Sequence, residues 1–216
     1  MSEAPLDAEG FAALTGVSRE TLARLEAYEA LLRRWSAHIN LVAASTLGDP
    51  WRRHFLDSAQ LVPYLPAGTR SLIDLGSGAG FPGLVLAIIG IPGVELFVEL
   101  VEADARKCAF LREAARLAAA SVQIRNARIE SVTPHGVDVV TARGCAPLDR
   151  LLLLAQPFVA AQTACLFPKG REAAQELAAA QQNWEMDVTS YDSRTDPRGV
   201  ILCLTRVARR ERSGGG

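Results

Sequence analysis

The chain has 216 residues, enough for one domain with a sizeable core and a smaller appendage. Apolar residues make up 49% of it, which excludes a disordered chain. The net charge of −1 excludes a globally basic nucleic-acid binder, so any basic surface must be local.

The first part of the chain reads as helical. Ser18 can cap a helix whose apolar positions, Leu22, Leu25, Tyr28, Leu31, Leu32, Trp35 and Ile39, recur at three- and four-residue steps. Asp49-Pro50 reads as the cap and first residue of a second helix carrying Trp51, Phe55, Leu61 and Val62. Arg52, Arg53 and His54 lie in this helix, with Asp57 one turn after Arg53; by themselves they equally describe a solvated face. Pro66-Ala67-Gly68 marks a boundary. Residues 1–68 are expected to form a helical cap, 69–207 a sheet domain and 208–216 a frayed tail.

From Ser71 the pattern changes to alternating strands and helices, the signature of a parallel α/β sheet. Strands are expected at 71–75, 94–101 (ending in Glu102), 122–125, 137–142 and 164–167. Asp104 caps the helix after the second strand. A leucine-rich helix follows Pro147, and an alanine-rich helix follows Pro168-Lys169-Gly170. The last two strands, 185–191 and 200–205, are joined by a linker too short for a crossover helix, so they should pair as an antiparallel hairpin. Five parallel strands closed by such a hairpin is a Rossmann-like, methyltransferase arrangement rather than the six parallel strands of a dehydrogenase.

The stretch Ser71-Leu72-Ile73-Asp74-Leu75-Gly76-Ser77-Gly78-Ala79-Gly80-Phe81-Pro82-Gly83 joins the first strand to a helix through a glycine loop, a nucleotide-binding turn. Gly78, Gly80 and Gly83 satisfy the dinucleotide pattern G-x-G-x-x-G. Asp74, Gly76, Gly78 and Gly80 satisfy D-x-G-x-G-x-G, which looks like the S-adenosylmethionine loop of Rossmann-like methyltransferases. Glycines there admit close approach of a ligand. Pro82 suits a first helical turn. Asp74 is expected to put a carboxylate at the mouth of the crevice. Glu102 stands where a ribose-binding acid belongs, or is a plain strand-end charge. Ile129 and Glu130, just past the third strand, stand where an adenine pocket is built, although spacing alone does not single them out.

The cysteines Cys108, Cys145, Cys165 and Cys203 form no C-x-x-C pair, and His38, His54 and His135 are scattered. Reduced thiols and no metal site are expected. With neither a signal peptide nor a long apolar span, a cytoplasmic protein is expected.

Arg53-His54-Phe55-Leu56-Asp57-Ser58, then Asp74 to Gly83, then Ala142-Arg143 and Lys169-Gly170, resemble the bacterial small-subunit ribosomal RNA guanine-N7 methyltransferase family, also known as glucose-inhibited division protein B. The resemblance covers residues 35–207. It implies S-adenosylmethionine as cofactor, held by Asp74, Gly76, Gly78, Gly80, Phe81, Glu102, Ile129 and Glu130, with Arg143 beside the donor methyl as the catalytic residue. It implies 16S ribosomal RNA, or a small-subunit assembly intermediate, as substrate, and a monomer without metal or membrane. Phosphates would be held by Arg52, Arg53, His54, Arg106, Lys107 and Lys169. Ser36, Cys145 and Pro168 depart from the family's usual residues. Chemistry supports the resemblance by what is missing. There is no N/D-P-P-Y/F motif for amino-group methylation, and Cys145 lacks the Pro neighbour of a pyrimidine C5 nucleophile. Guanine N7 carries a free lone pair and needs neither base nor covalent step, only alignment. A nicotinamide dehydrogenase and a non-catalytic RNA-binding module on the same scaffold are the other readings.

Overall fold

The computed structural model describes residues 4–210. Two helices open it, α1 (Ala8–Thr15) and α2 (Arg19–Ser36). Ser18 caps α2 as expected, its side chain accepting from the Thr21 N–H. The helix stops at Ser36, short of Ile39. α1, which the sequence pattern did not single out, buries Phe11 in the same core as the apolar stripe of α2. After Pro50 the chain winds as a π-helix (Trp51–Leu56) and closes with one turn of α3 (Asp57–Ala59). Trp51, His54 and Phe55 face inward there, and ring contacts tie Phe11, Trp51, Phe55, Phe81 and Tyr28 together.

The sheet strands are β1 (Ser71–Leu75), β2 (Phe97–Glu102), β3 (Val122–Asn126), β4 (Val137–Thr141), β5 (Val159–Lys169), β6 (Trp184–Asp192) and β7 (Val200–Arg209). Their order is β3-β2-β1-β4-β5-β7-β6. β1 to β5 run parallel, and β7 pairs antiparallel with both β5 and β6. The five parallel strands and closing hairpin match the sequence reading. Strand ends differ. β2 starts at Phe97 because Ile91 and Val94 bridge each other around a tight turn. β5 starts at Val159, where it pairs with Val137. β7 runs on to Arg209, so Ala208 and Arg209 lie in a strand; the rest of the expected frayed tail, from 211 on, lies outside the described residues.

The connecting helices are α4 (Gly83–Ile89), α5 (Ala105–Leu117), α6 (Leu148–Ala155) and α7 (Ala173–Ala180). Pro82 caps α4 from just outside it. Alternation along each strand feeds two cores. Leu72, Val98, Leu100, Val139 and Leu166 face α1, α2, α4 and α5. Ile73, Val101, Val140, Cys165 and Phe167 face the side of α6 and α7. The amino-terminal helices thus share one core with a sheet face. Among the described residues no helix is long and apolar enough to cross a membrane.

Strand order reverses between β1 and β4. In an open α/β sheet a ligand crevice opens at that point, beyond the carboxyl ends of the strands. The glycine loop follows β1 and Arg143-Gly144 follows β4.

Candidate active site

The glycine loop is tied down from three sides. From the neighbouring strand, Glu102 accepts the Gly78 N–H on Oε2 at 2.9 Å and the Asp104 N–H on Oε1 at 2.8 Å. Each oxygen keeps a further lone pair for a ligand hydroxyl. From α2, the fully buried Tyr28 donates its hydroxyl to the Ala79 carbonyl and stacks on Phe81 with centroids 5.4 Å apart. From within the strand, Asp74 Oδ2 accepts the Gly83 N–H at 3.2 Å.

The sequence reading placed Asp74 at the crevice mouth. In the structure its side chain is fully buried, and Oδ1 has no hydrogen-bond partner among the described residues. Burial lifts its pKa to about 7, against the pull of the Gly83 hydrogen bond and of the Arg143 charge. The glycines also serve neighbours of this chain as much as a ligand. A Cβ at Gly76 would stand 2.9 Å from Cys145 Sγ, and φ there is +68°. A Cβ at Gly80 would stand 2.7 Å from the Tyr28 hydroxyl. Gly78 alone of the three has room for a Cβ, whose nearest neighbour would be the Gly76 carbonyl at 3.9 Å.

Across the crevice, Arg143 is the hub. Its guanidinium donates from NH1 to Asp57 Oδ2 at 2.8 Å and to the Arg53 carbonyl at 3.1 Å, and lies 3.0 Å from His54 Nδ1 through NH2. It also lies over the Phe81 ring at 5.0 Å. Asp57 is held in turn: Oδ1 accepts from Thr195 Oγ1 at 2.6 Å and from Gln60 Nε2 at 2.9 Å. Thr195 belongs to the β6–β7 turn, so that hairpin closes one side of the site.

His54 corrects the sequence reading. It is 6% exposed, stacked on Phe81, with Nε2 2.8 Å from Thr46 Oγ1. Thr46 donates its own proton to the Ala43 carbonyl, so His54 donates from Nε2 and accepts from Arg143 at Nδ1. Burial first, then Arg143 and Arg53, push its pKa down to about 3. A neutral, enclosed ring offers no phosphate contact. The spacing of Trp51, His54 and Phe55, one helical face, was the signal for this.

Lys169 is similarly enclosed. Its Nζ donates to the Ala146 carbonyl at 2.9 Å and to Glu176 Oε2 at 2.7 Å. Arg52 pairs with Asp49 at 3.2 Å. Arg53 is exposed, reaching the Thr195 carbonyl at 3.5 Å. Arg106 is exposed and Lys107 half-buried; both line a cleft of ≈ 340 Å³ with His38 and Asn40. Ile129 is half-buried after β3, and Glu130 is exposed and pairs with Arg150 at 2.8 Å. The loop thus meets Glu102 through Gly78 and Arg143 through Phe81, while His54 and Lys169 are enclosed by partners within the protein. Tyr28, Thr195 and Gln60 escaped the sequence reading, because their roles arise only from packing between distant segments.

This fold and crevice define a Rossmann-like methyltransferase of the S-adenosylmethionine-dependent class. A putative O-methyltransferase from Klebsiella pneumoniae superposes with a TM-score of 0.58 over 90% of this chain and 93% of that one, at 17% identity. A TehB-like SAM-dependent methyltransferase from Corynebacterium glutamicum superposes with a TM-score of 0.54 over 83% and 96%, at 14% identity. The model of the GidB family, described as rRNA small subunit methyltransferase G, matches residues 21–197. The ribosomal RNA small subunit methyltransferase G of Rhodospirillum centenum is 56% identical over 94% of this chain and 92% of that protein. Its counterpart in Rhodospirillum rubrum is 54% identical over 93% and 98%. The chain belongs to the GidB family.

Proposed function

We propose that the protein transfers the methyl group of S-adenosylmethionine to N7 of one guanine in 16S ribosomal RNA, bare or in an assembling small subunit. We take it to act as a monomer in the cytoplasm, without a metal ion, with residues 1–68 as a cap on the catalytic sheet. The crevice at the β1–β4 reversal carries the reading. Beside the glycine loop lie a buried carboxylate oxygen with no hydrogen-bond partner among the described residues, Asp74 Oδ1, and a second carboxylate, Glu102, with lone pairs to spare. An α-ammonium and a ribose diol are the groups those two acids would take.

In this reading Gly76, Gly78, Gly80 and Phe81 shape the cofactor's bed, Asp74 answers its ammonium, Glu102 its ribose, and Ile129 and Glu130 its adenine. The cofactor supplies an electrophilic methyl. The protein supplies alignment. N7 has its lone pair ready, so no group needs to remove a proton. Three of the five N–H groups of Arg143 are spent on Arg53, Asp57 and His54. The remaining two suit O6, the atom beside N7, and would hold the base in line with the methyl donor. Phosphates fall to Arg53, Arg106 and Lys107, with Arg52, His54 and Lys169 bracing the framework.

Small subunits from cells lacking the gene, incubated with the protein and methyl-labelled cofactor, test this. Label should appear in one 7-methylguanosine. Label in another nucleoside, or none, would overturn the reading.

A further inference from the structure

Between the β4 end and the β6–β7 turn lies a polar pocket of ≈ 200 Å³. A cavity of about 150 Å³ holds a benzene ring, so this one has room for a single unstacked base. Arg143 and Gly144, just past β4, and Ser193, Thr195 and Asp196 of the turn all line it.

We propose that this pocket receives the target guanine and that Asp196 reads its Watson–Crick edge. The inference rests on the guanine-N7 reading above. With N7 turned toward the crevice, N1–H and the N2 amine lie on the adjoining edge of the base, at about a right angle to the N7 lone pair, and are left free to meet the turn. Two adjacent donors call for a carboxylate. The pocket has two carboxylates, and Asp57 is already spent on Arg143, Thr195 and Gln60. Asp196 uses Oδ1 for the Arg198 N–H at 2.9 Å, with the Arg198 guanidinium 3.9 Å away. Its Oδ2 has no hydrogen-bond partner among the described residues. The turn is braced rather than loose. Gln60 Oε1 accepts the Arg194 N–H at 2.8 Å, and the Gly199 N–H returns to the Asp196 carbonyl at 2.9 Å. Adenine offers an acceptor at N1 and would face Asp196 with repulsion, so the same carboxylate also rejects the other purine.

The test compares 16S RNA carrying guanosine or inosine at the methylated position. Inosine keeps N7, O6 and N1–H and lacks only the N2 amine. The wild-type protein should prefer guanosine by about tenfold or more in kcat/KM, the scale of one hydrogen bond to a charged group. Asp196→Ala, and Asp196→Asn as a variant of nearly unchanged shape, should lose most of that preference while S-adenosylhomocysteine affinity and melting temperature hold. A variant that keeps the wild-type preference, or a wild-type protein that shows none, overturns the role of Asp196. Absence of transfer to guanosine by the wild-type protein would instead overturn the methyltransferase reading beneath it.

Discussion

Asp57 Oδ2 lies 2.8 Å from the NH1 of Arg143, joining α3 to the end of β4 across 86 residues of sequence. Both side chains are mostly enclosed, at 16% and 20% exposure. Enclosure is what gives the pair weight, since exposed pairs contribute little. Asp57→Asn keeps the shape and removes the charge. It should cost about 1–3 kcal/mol of stability in urea unfolding. Single-turnover methyl transfer should fall at least about tenfold, with S-adenosylhomocysteine affinity nearly unchanged. Loss of cofactor affinity in step with activity would show that the pair serves the cofactor bed instead.

Two buried groups should pull stability in opposite directions with pH. His54 has a folded pKa of about 3 against 6.5 for the free side chain, so below pH 6.5 the unfolded chain takes up a proton that the folded one refuses. Stability is therefore lost as pH falls from 6.5 toward 3, by about 2 kcal/mol at pH 5. Asp74 is raised from 3.8 to about 7, so stability is lost as pH rises through that window. Urea titrations of the cofactor-free protein at pH 5, 6.5 and 8 separate them. His54→Asn should lose less stability than wild type on acidification, and Asp74→Asn less on going to pH 8. Parallel curves for all three proteins would contradict both assignments.

Much of the site was legible because its signals are local. The run Ser71 to Gly83 shows strand, loop and helix in one window, and the short 192–199 linker forces the antiparallel hairpin and hence the sheet's ending. What stayed hidden depends on which segments meet. Arg52-Arg53-His54 reads as one basic cluster, yet burial of Trp51 and Phe55 carries His54 inward and leaves Arg53 outside. Lys169 looks like a free cation until Glu176, one helix later, is seen to close on it. Tyr28 reads as one apolar position in a stripe, and only the fold brings its hydroxyl to the Ala79 carbonyl.

That hydroxyl predicts a specific loss. Tyr28→Phe keeps the stack on Phe81 but leaves the Ala79 carbonyl without its donor. A hydrogen bond of about 1 kcal/mol corresponds to roughly fivefold, so S-adenosylhomocysteine should bind about three- to tenfold more weakly by calorimetry. Unchanged affinity would mean the loop holds its shape without the cap.

Gly76 tests the loop from the other side. In Gly76→Ala the new Cβ meets Cys145 Sγ and the backbone sits at φ +68°, so cofactor binding should fail. Cys145→Ala alone should keep most activity, since its thiol packs rather than reacts. The double variant should recover part of the binding, the part lost to the clash and not to φ. No recovery would assign the whole defect to the backbone; lost activity in folded Cys145→Ala would revive a nucleophile.

The central claim is that this site aligns a donor with a lone pair and removes no proton. Single-turnover methyl transfer, measured with RNA and cofactor saturating, tests it most directly, because product release cannot then mask the chemical step. With His54 neutral throughout, and with saturating cofactor keeping the titration of Asp74 out of the rate, the rate should be nearly flat from pH 6 to pH 9, and Arg143→Ala should lower the plateau without tilting it. A rate that climbs about tenfold per pH unit would mean that a proton must leave before the methyl arrives, and N7 could not be the acceptor.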